Sequence, residues 1–110
     1  MTDRELLELA AKAAGIECKK TPIGFYLSDE DRNWNPLTDD GDALRLAVKL
    51  KLSISAVNPA FIEVAIFKDG EARLLFRDGT MDSGWNEDPY ASTRRAITRA
   101  AAEIGKTKCE

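Results

Sequence analysis

The sequence predicts an α+β fold in which a mostly antiparallel sheet lies between helices, a three-layer α/β/α sandwich with element order α-β-β-α-β-β-β-α. Three observations lead there. Apolar residues recur at helical spacing near both ends of the chain and again before its midpoint. A "KDGE" turn joins two runs that alternate as strands do. Both faces of that hairpin carry apolar residues, whereas a sheet with one solvated face should show a clean polar side.

The first helix is expected over about residues 3–14. Thr2 and Glu5 have the S/T-x-x-E spacing in which each side chain satisfies an orphan backbone N–H at the helix start. Leu6, Leu9, Ala10 and Ala13 recur as an inward stripe, and Gly15 is placed to end the helix in a left-handed conformation with Ile16 folding back. "TPIG" then punctuates a short hairpin, Ile16–Lys20 with Gly24–Leu27, because Pro22 presets a turn corner and Gly24 accepts unusual backbone angles.

The stretch "NWNPLTDDGDALRLAVKL", residues 33–50, leads into a second helix. Thr38 is the expected N-cap, and Asp39, Asp40 and Asp42 suit the positive end of the helix dipole. Ala43, Leu46, Ala47 and Leu50 then face the core, Leu44 and Val48 flank it, and Arg45 and Lys49 point outward.

A strand over Leu52–Ala56 follows, and "VNPA" separates it from the main hairpin. The Asp69-Gly70 turn suits a two-residue loop. An unbroken register from that turn pairs Lys68 with Glu71, Phe67 with Ala72, Ile66 with Arg73, Ala65 with Leu74, Val64 with Leu75, Glu63 with Phe76 and Ile62 with Arg77. After a Gly- and Asp-rich loop, the last helix begins at Asp88 with Pro89 in its first position. Its stripe is Ile97, Ala100, Ala101 and Ile104, and Gly105 is expected to stop it. One domain is therefore expected over residues 3–105, with 106–110 a frayed tail.

Composition narrows the chemistry. The chain has 110 residues, 44% hydrophobic and 32% charged, which suits one compact domain. Its net charge of -3 provides no global basic field for nucleic acid. The absence of histidine removes His-activated nucleophiles, His proton shuttles and His-containing zinc sites. Cys18 and Cys109 form no metal or redox motif, no apolar run approaches the roughly 20 residues of a membrane span, and no signal-peptide pattern is present. A cytoplasmic protein without a cofactor or metal is expected. No convergent set of titratable groups stands out, so no enzyme is expected either.

Three groups of residues invite a functional reading. Asp29, Asp31 and Asn33 alternate like the first ligands of a calcium loop, but the sixth position is Trp34 rather than glycine and the twelfth is Asp40 rather than glutamate. Trp34 and Trp85 each sit in an acidic segment. Packing at the edges of the helical layers explains both, and the functional alternative is a partner-binding surface of Trp34, Asp39, Asp40, Asp82 and Trp85. Arg94, Arg95 and Arg99 put positive charge on the last helix. A solvated face with local ion pairs explains them, with the Arg94 stem packing and its guanidinium pairing with an aspartate, and nucleic-acid binding is the alternative.

The order "LLELAAKAAG … FYLSDEDRNWNPLTDDGDALRLAVKL … STRRAITRAAAEIG" resembles small proteins of bacteriophages and prophages that carry a phage α-β-α sandwich domain. The matching features are Gly15, Tyr26, Trp34 with Pro36, Asp39 with Ala43 and Leu46, and Arg94 through Ala102. The resemblance implies the same layered fold and no activity, so it assigns no catalytic residues. The expectation is a phage or prophage accessory protein that binds a host or phage protein, for example as a host-defence antagonist. A nucleic-acid-binding regulator is the alternative, and a homo-oligomer stays open.

Overall fold

A computed structural model describes residues 2–22, 24–27, 30–55, 62–68, 71–78 and 88–108. Among them the order is α1 (Asp3–Ala14), β1 (Lys19–Thr21), β2 (Gly24–Leu27), β3 (Arg32–Trp34), α2 (Asp40–Lys49), β4 (Ser53–Ser55), β5 (Ile62–Lys68), β6 (Glu71–Asp78) and α3 (Pro89–Lys108). The fold is α+β, with three helices and two small antiparallel sheets among the described residues, ordered β1-β2-β3 and β4-β5-β6. The single sheet and eight-element order expected from sequence both change. Residues 32–34 add a strand, because Leu27 pairs with Arg32 and Phe25 with Trp34.

Local signals set the helix ends. Thr2 accepts a hydrogen bond from the Glu5 amide, and Gly15 closes α1 at φ 67°, a conformation that costs glycine little. The buried face of α1 is Leu7, Ala10, Ala11, Ala13 and Ala14, so the stripe is rotated from the expected Leu6–Leu9 line, both of which are half-buried. At α3 the Asp88 carboxylate accepts from the Ala91 amide, as expected of a cap before Pro89. The cap of α2 is Asp39 rather than Thr38. The amides of both Thr38 and Asp39 are drawn to the Asn35 carbonyl, so the helix starts one residue later.

The β5–β6 hairpin opens as expected, Lys68 opposite Glu71 and Phe67 opposite Ala72. A bulge between Ile66 and Phe67 then slips the register by one, pairing Ile66 with Leu74, Val64 with Phe76 and Glu63 with Arg77. One inserted residue moves all later partners to the other face. Apolar positions thus fall opposite Val64 and Ile66, and Arg77 falls opposite Glu63. Ala65 stays opposite an apolar residue, Leu75, so apolar residues remain on both faces of the hairpin.

The element at the centre is α3. Ala96, Ile97, Thr98, Ala100, Ala101 and Ala102 are all buried, and Arg95, Arg99 and Lys106 mark the narrow exposed side. A helix enclosed on most of its circumference lies within the core. It packs against α1, α2, β5 and β6, and its contact with α1 is the most extensive. The Thr98 hydroxyl avoids an unmet donor by bonding the Arg94 carbonyl at 2.8 Å. On its other side α1 is tied to the first sheet: Glu8 pairs with Lys20 at 2.7 Å, and Arg4 bonds the Thr21 carbonyl and lies over the Phe25 ring.

Gly105 does not stop α3, which runs on to Lys108. It is a buried helical residue, and a Cβ there would lie 2.0 Å from the Leu9 carbonyl oxygen. Gly105→Ala in an exposed helix would gain about 1 kcal/mol of helix propensity. Here the obstructing atom is backbone, so we expect a net loss of about 2 kcal/mol from overpacking. The urea midpoint should fall with an unchanged slope, and a raised midpoint would show that the two helices separate freely.

Candidate functional site

The segment between β3 and α2 is built around Asn35. Its side-chain oxygen accepts the Leu37 amide at 2.9 Å, and its carbonyl accepts the Asp39 amide at 2.9 Å. Pro36 is fully buried beneath this turn. Asp39 then caps α2 by accepting the Asp42 amide at 2.8 Å.

Asp42 is the chemical centre of the region. Its side chain is 2% exposed, yet each oxygen is engaged. Oδ1 accepts from Arg32 Nη1 at 2.7 Å and from Arg45 Nη2 at 2.8 Å, and Oδ2 accepts the Asn35 amide at 2.9 Å. Burial pushes this carboxyl upward, but the Asn35 amide and the Arg45 and Arg32 guanidiniums outweigh it and hold Asp42 below the ordinary carboxylate value. A carboxylate so held positions cations; it is poorly matched to proton transfer near neutrality. Arg32 also bonds Glu30 at 2.6 Å, and these two acids stabilise its charged form.

The cluster forms one wall of a cleft of about 410 Å³. Leu27, Trp34 and Leu46 form its apolar floor. Ile16 and Glu17, just after α1, border one side, and Arg45 and Lys49 border the other from α2. The structure therefore gathers ionisable side chains that looked unrelated in sequence. Glu17, Glu30, Arg32 and Lys49 meet here because the β2–β3 hairpin folds back beside α2.

The opposite flank of α2 carries a second, mostly apolar groove of about 360 Å³. Ala43 and Ile97 lie at its base, with Leu44 59% exposed, Ile54 38% and Tyr90 69%. Val48, one turn beyond Leu44, is 69% exposed. Arg94 closes one end: its Nη1 lies 2.6 Å from Asp40, and its Nε donates to the Leu37 carbonyl at 2.9 Å.

The residues singled out in the sequence part company here. Trp34 is 3% exposed and belongs to the core, opposite Phe25, so its indole is not a surface anchor. Asp39 and Asp40 are both exposed; Asp40 lines the apolar groove, whereas Asp39 lies 3.9 Å from Arg45. Asp82 and Trp85 lie outside the described residues, as does Asp29 of the calcium-like run. Asp31 of that run accepts the Tyr26 hydroxyl. Among the described residues no group of three or more His, Cys, Asp or Glu could hold a metal ion, and no helix is long and apolar enough to cross a membrane. Arg94 pairs with an aspartate, as the sequence suggested, and Arg95 and Arg99 are exposed. Burial raises the Cys18 thiol, disfavouring its reactive thiolate; Cys109 lies outside the described residues.

Sequence reasoning missed Asp42, Arg32 and the exposed apolar row. The aspartates were fully accounted for by helix capping, and one helical turn separates Leu44 from Val48 whether they pack or not. A usable signal was Arg45 three residues after Asp42, a spacing that brings opposite charges together on a helix. Compared with protein-family models, with curated proteins and with solved structures, the chain matches none.

Removing the Asp42 charge leaves two guanidiniums facing one another. We expect Asp42→Asn to cost about 3 kcal/mol, the low end for breaking a buried pair because Arg45 is 61% exposed. Because the folded carboxyl titrates below its unfolded value, its stabilisation is present above the unfolded pKa of about 4 and is lost as pH falls through the lower folded value. Urea unfolding across acidic pH should show a shallower acid loss in Asp42→Asn than in the unaltered protein. Identical slopes would remove the cluster from the stability account.

Proposed function

We propose that this chain is a non-enzymatic protein-binding module and that its docking surface is the apolar groove between α2, β4 and α3. The observation that carries the reading is the set of exposed apolar side chains Leu44, Ile54 and Tyr90 lining one groove, with exposed Val48 one turn beyond Leu44. Single exposed apolar residues are ordinary, but large ones gathered along a groove mark interaction surfaces. Asp40 adds exposed negative charge at one end, shared with Arg94. The occupant with matching chemistry is a protein segment that lays apolar side chains into the groove and brings a basic residue beside Asp40.

The partner is a host or phage protein, and antagonism of a host defence is one form of this proposal. Phage or prophage origin and residence in the bacterial cytoplasm belong to the same proposal; the origin rests on the sequence resemblance alone. Three-layer stacking of the whole chain is also proposed, supported by the packing of α3 on β5 and β6. Binding of nucleic acid through Arg94, Arg95 and Arg99 is the competing reading. It loses weight because Arg94 is 18% exposed and spent on Asp40 and Leu37.

Leu44→Lys with Tyr90→Ser should abolish retention of the partner that the unaltered chain retains, and stability should change by about 0.5 kcal/mol or less because both positions are exposed. Unchanged retention by the double variant would sink the reading. Duplex binding at low salt that disappears in Arg95→Ala with Arg99→Ala would replace it with the nucleic-acid alternative.

A further inference from the structure

Leu44 and Val48 stand one turn apart on α2, 59% and 69% exposed, and charges of opposite sign lie at the two ends of the row they make. Asp39 and Asp40 are exposed at the start of the helix; Lys49 ends it and Lys51 follows its C-cap, both exposed. The acidic end is not used up inside the chain, since Arg94 engages Asp40 at Oδ1 and the Asp40 side chain is still 70% exposed. The basic end departs from the usual pattern. The Lys51 amide donates to the Val48 carbonyl at 3.2 Å, and the Leu52 amide donates to the Ala47 carbonyl at 2.9 Å. That closure puts the residue after the C-cap in the left-handed region, and Lys51 sits there at φ 56° in the place glycine or asparagine ordinarily takes. Lys49 already supplies positive charge to the end of the helix, so the second lysine is strained without a local need.

Acid, leucine, valine, base is an order that complements itself when reversed. Parallel pairing of two such helices would set acid against acid and base against base. Antiparallel pairing about a two-fold axis level with Leu46 sets Leu44 of each copy against Val48 of the other. Asp40 then lies about 9 Å along the helix on one side of the axis and Lys51 about 8 Å on the other, so the charged ends meet as well. A two-fold interface requires this self-complementarity. We propose that a second copy of this chain packs antiparallel on the Leu44–Val48 face of α2, with Asp39 and Asp40 of each copy opposite Lys49 and Lys51 of the other. The contact is small and its charges are solvated, so the dimer is reversible, with a dissociation constant on the order of 100 μM. The inference rests on the exposed face of α2 and not on the docking reading, although a docked partner and a second copy exclude one another at Leu44.

Sedimentation of the purified chain alone, from about 10 μM to about 1 mM, should show its mass rising from one chain toward two. Val48→Lys, at an exposed position outside the groove lining, should weaken the dimer about tenfold or more with an unchanged circular dichroism spectrum. Lys51→Gly separates interface from fold: relief of the left-handed strain should raise the urea midpoint while the dimer weakens about threefold. Direction is read by cross-linking. In a Cys18→Ala, Cys109→Ser background, mixed Leu44→Cys and Val48→Cys chains should on oxidation give the mixed disulfide in excess of random pairing. The proposal is overturned by a single-chain mass up to about 1 mM, or by a dimer that Val48→Lys or Lys51→Gly leaves unchanged. Disulfides at random, or self-disulfides in excess, would overturn it as well. None of these readouts involves a docked partner, so the docking reading stands or falls separately, on retention by the Leu44→Lys, Tyr90→Ser variant.

Discussion

Gly105 lets the backbone of α3 come against the Leu9 carbonyl of α1, and the other elements are arranged around that pair. The close approach needs small residues nearby, and both helices supply them: Ala10, Ala13 and Ala14 on α1, Ala101 and Ala102 on α3. Such surfaces bury little area per residue, so they stabilise through dense contact between helix backbones rather than through large side chains. The larger apolar groups lie further out. Leu7, Phe25, Ile97, Leu46 and Val64 belong to one buried cluster that draws on all three helices and both sheets.

The polar counterpart of that apolar centre is Asp42. A buried carboxylate is tolerated only with partners, and this one has three. They come from three parts of the chain: Arg32 from β3, Asn35 from the turn, and Arg45 from α2 itself. The network therefore fixes where the β2–β3 hairpin lies relative to α2 and holds two guanidiniums at the edge of the cleft. Arg94 plays a similar part on the other flank, joining α3 to the start of α2 through Asp40 and the Leu37 carbonyl. Both fastenings act on the first turns of one helix. That turn sets the position of the cleft wall on one side and the groove wall on the other.

Seen this way, α2 presents three faces with different chemistry. Ala43, Leu46 and Ala47 are buried; Arg45 and Lys49 border the cleft; Leu44 is exposed at the groove, and Val48, one turn on, is exposed as well. The exposure of Leu44 and Val48 is the anomaly in this arrangement, since a helix with that many apolar residues could have buried them by a modest rotation. Rotation would carry Asp42 away from Arg32 and Asn35. The buried carboxylate thus accounts physically for why an apolar pair is held facing solvent.

What the sequence determined by itself was local. The capping of α1 by Thr2, its end at Gly15, the cap at Asp88 before Pro89, the pairing of Lys68 with Glu71 and the general α+β class all follow from residues within a few positions of one another. What it left undecided depended on residues distant in the chain. Gly105 looks the same at a helix end and at a helix crossing until Leu9 is brought beside it. Asp42 looks like one more first-turn aspartate until Arg32 folds back to it. Trp34 looks like a loop anchor until it pairs across from Phe25. The bulge at Ile66 leaves the alternation of the strand unchanged to the eye but reassigns the faces of its partner. Local hydrogen bonds and torsional preferences are nearly independent of context, whereas the value of burying a given side chain is set by whatever the rest of the chain packs against it. Only the tertiary structure decided those meetings.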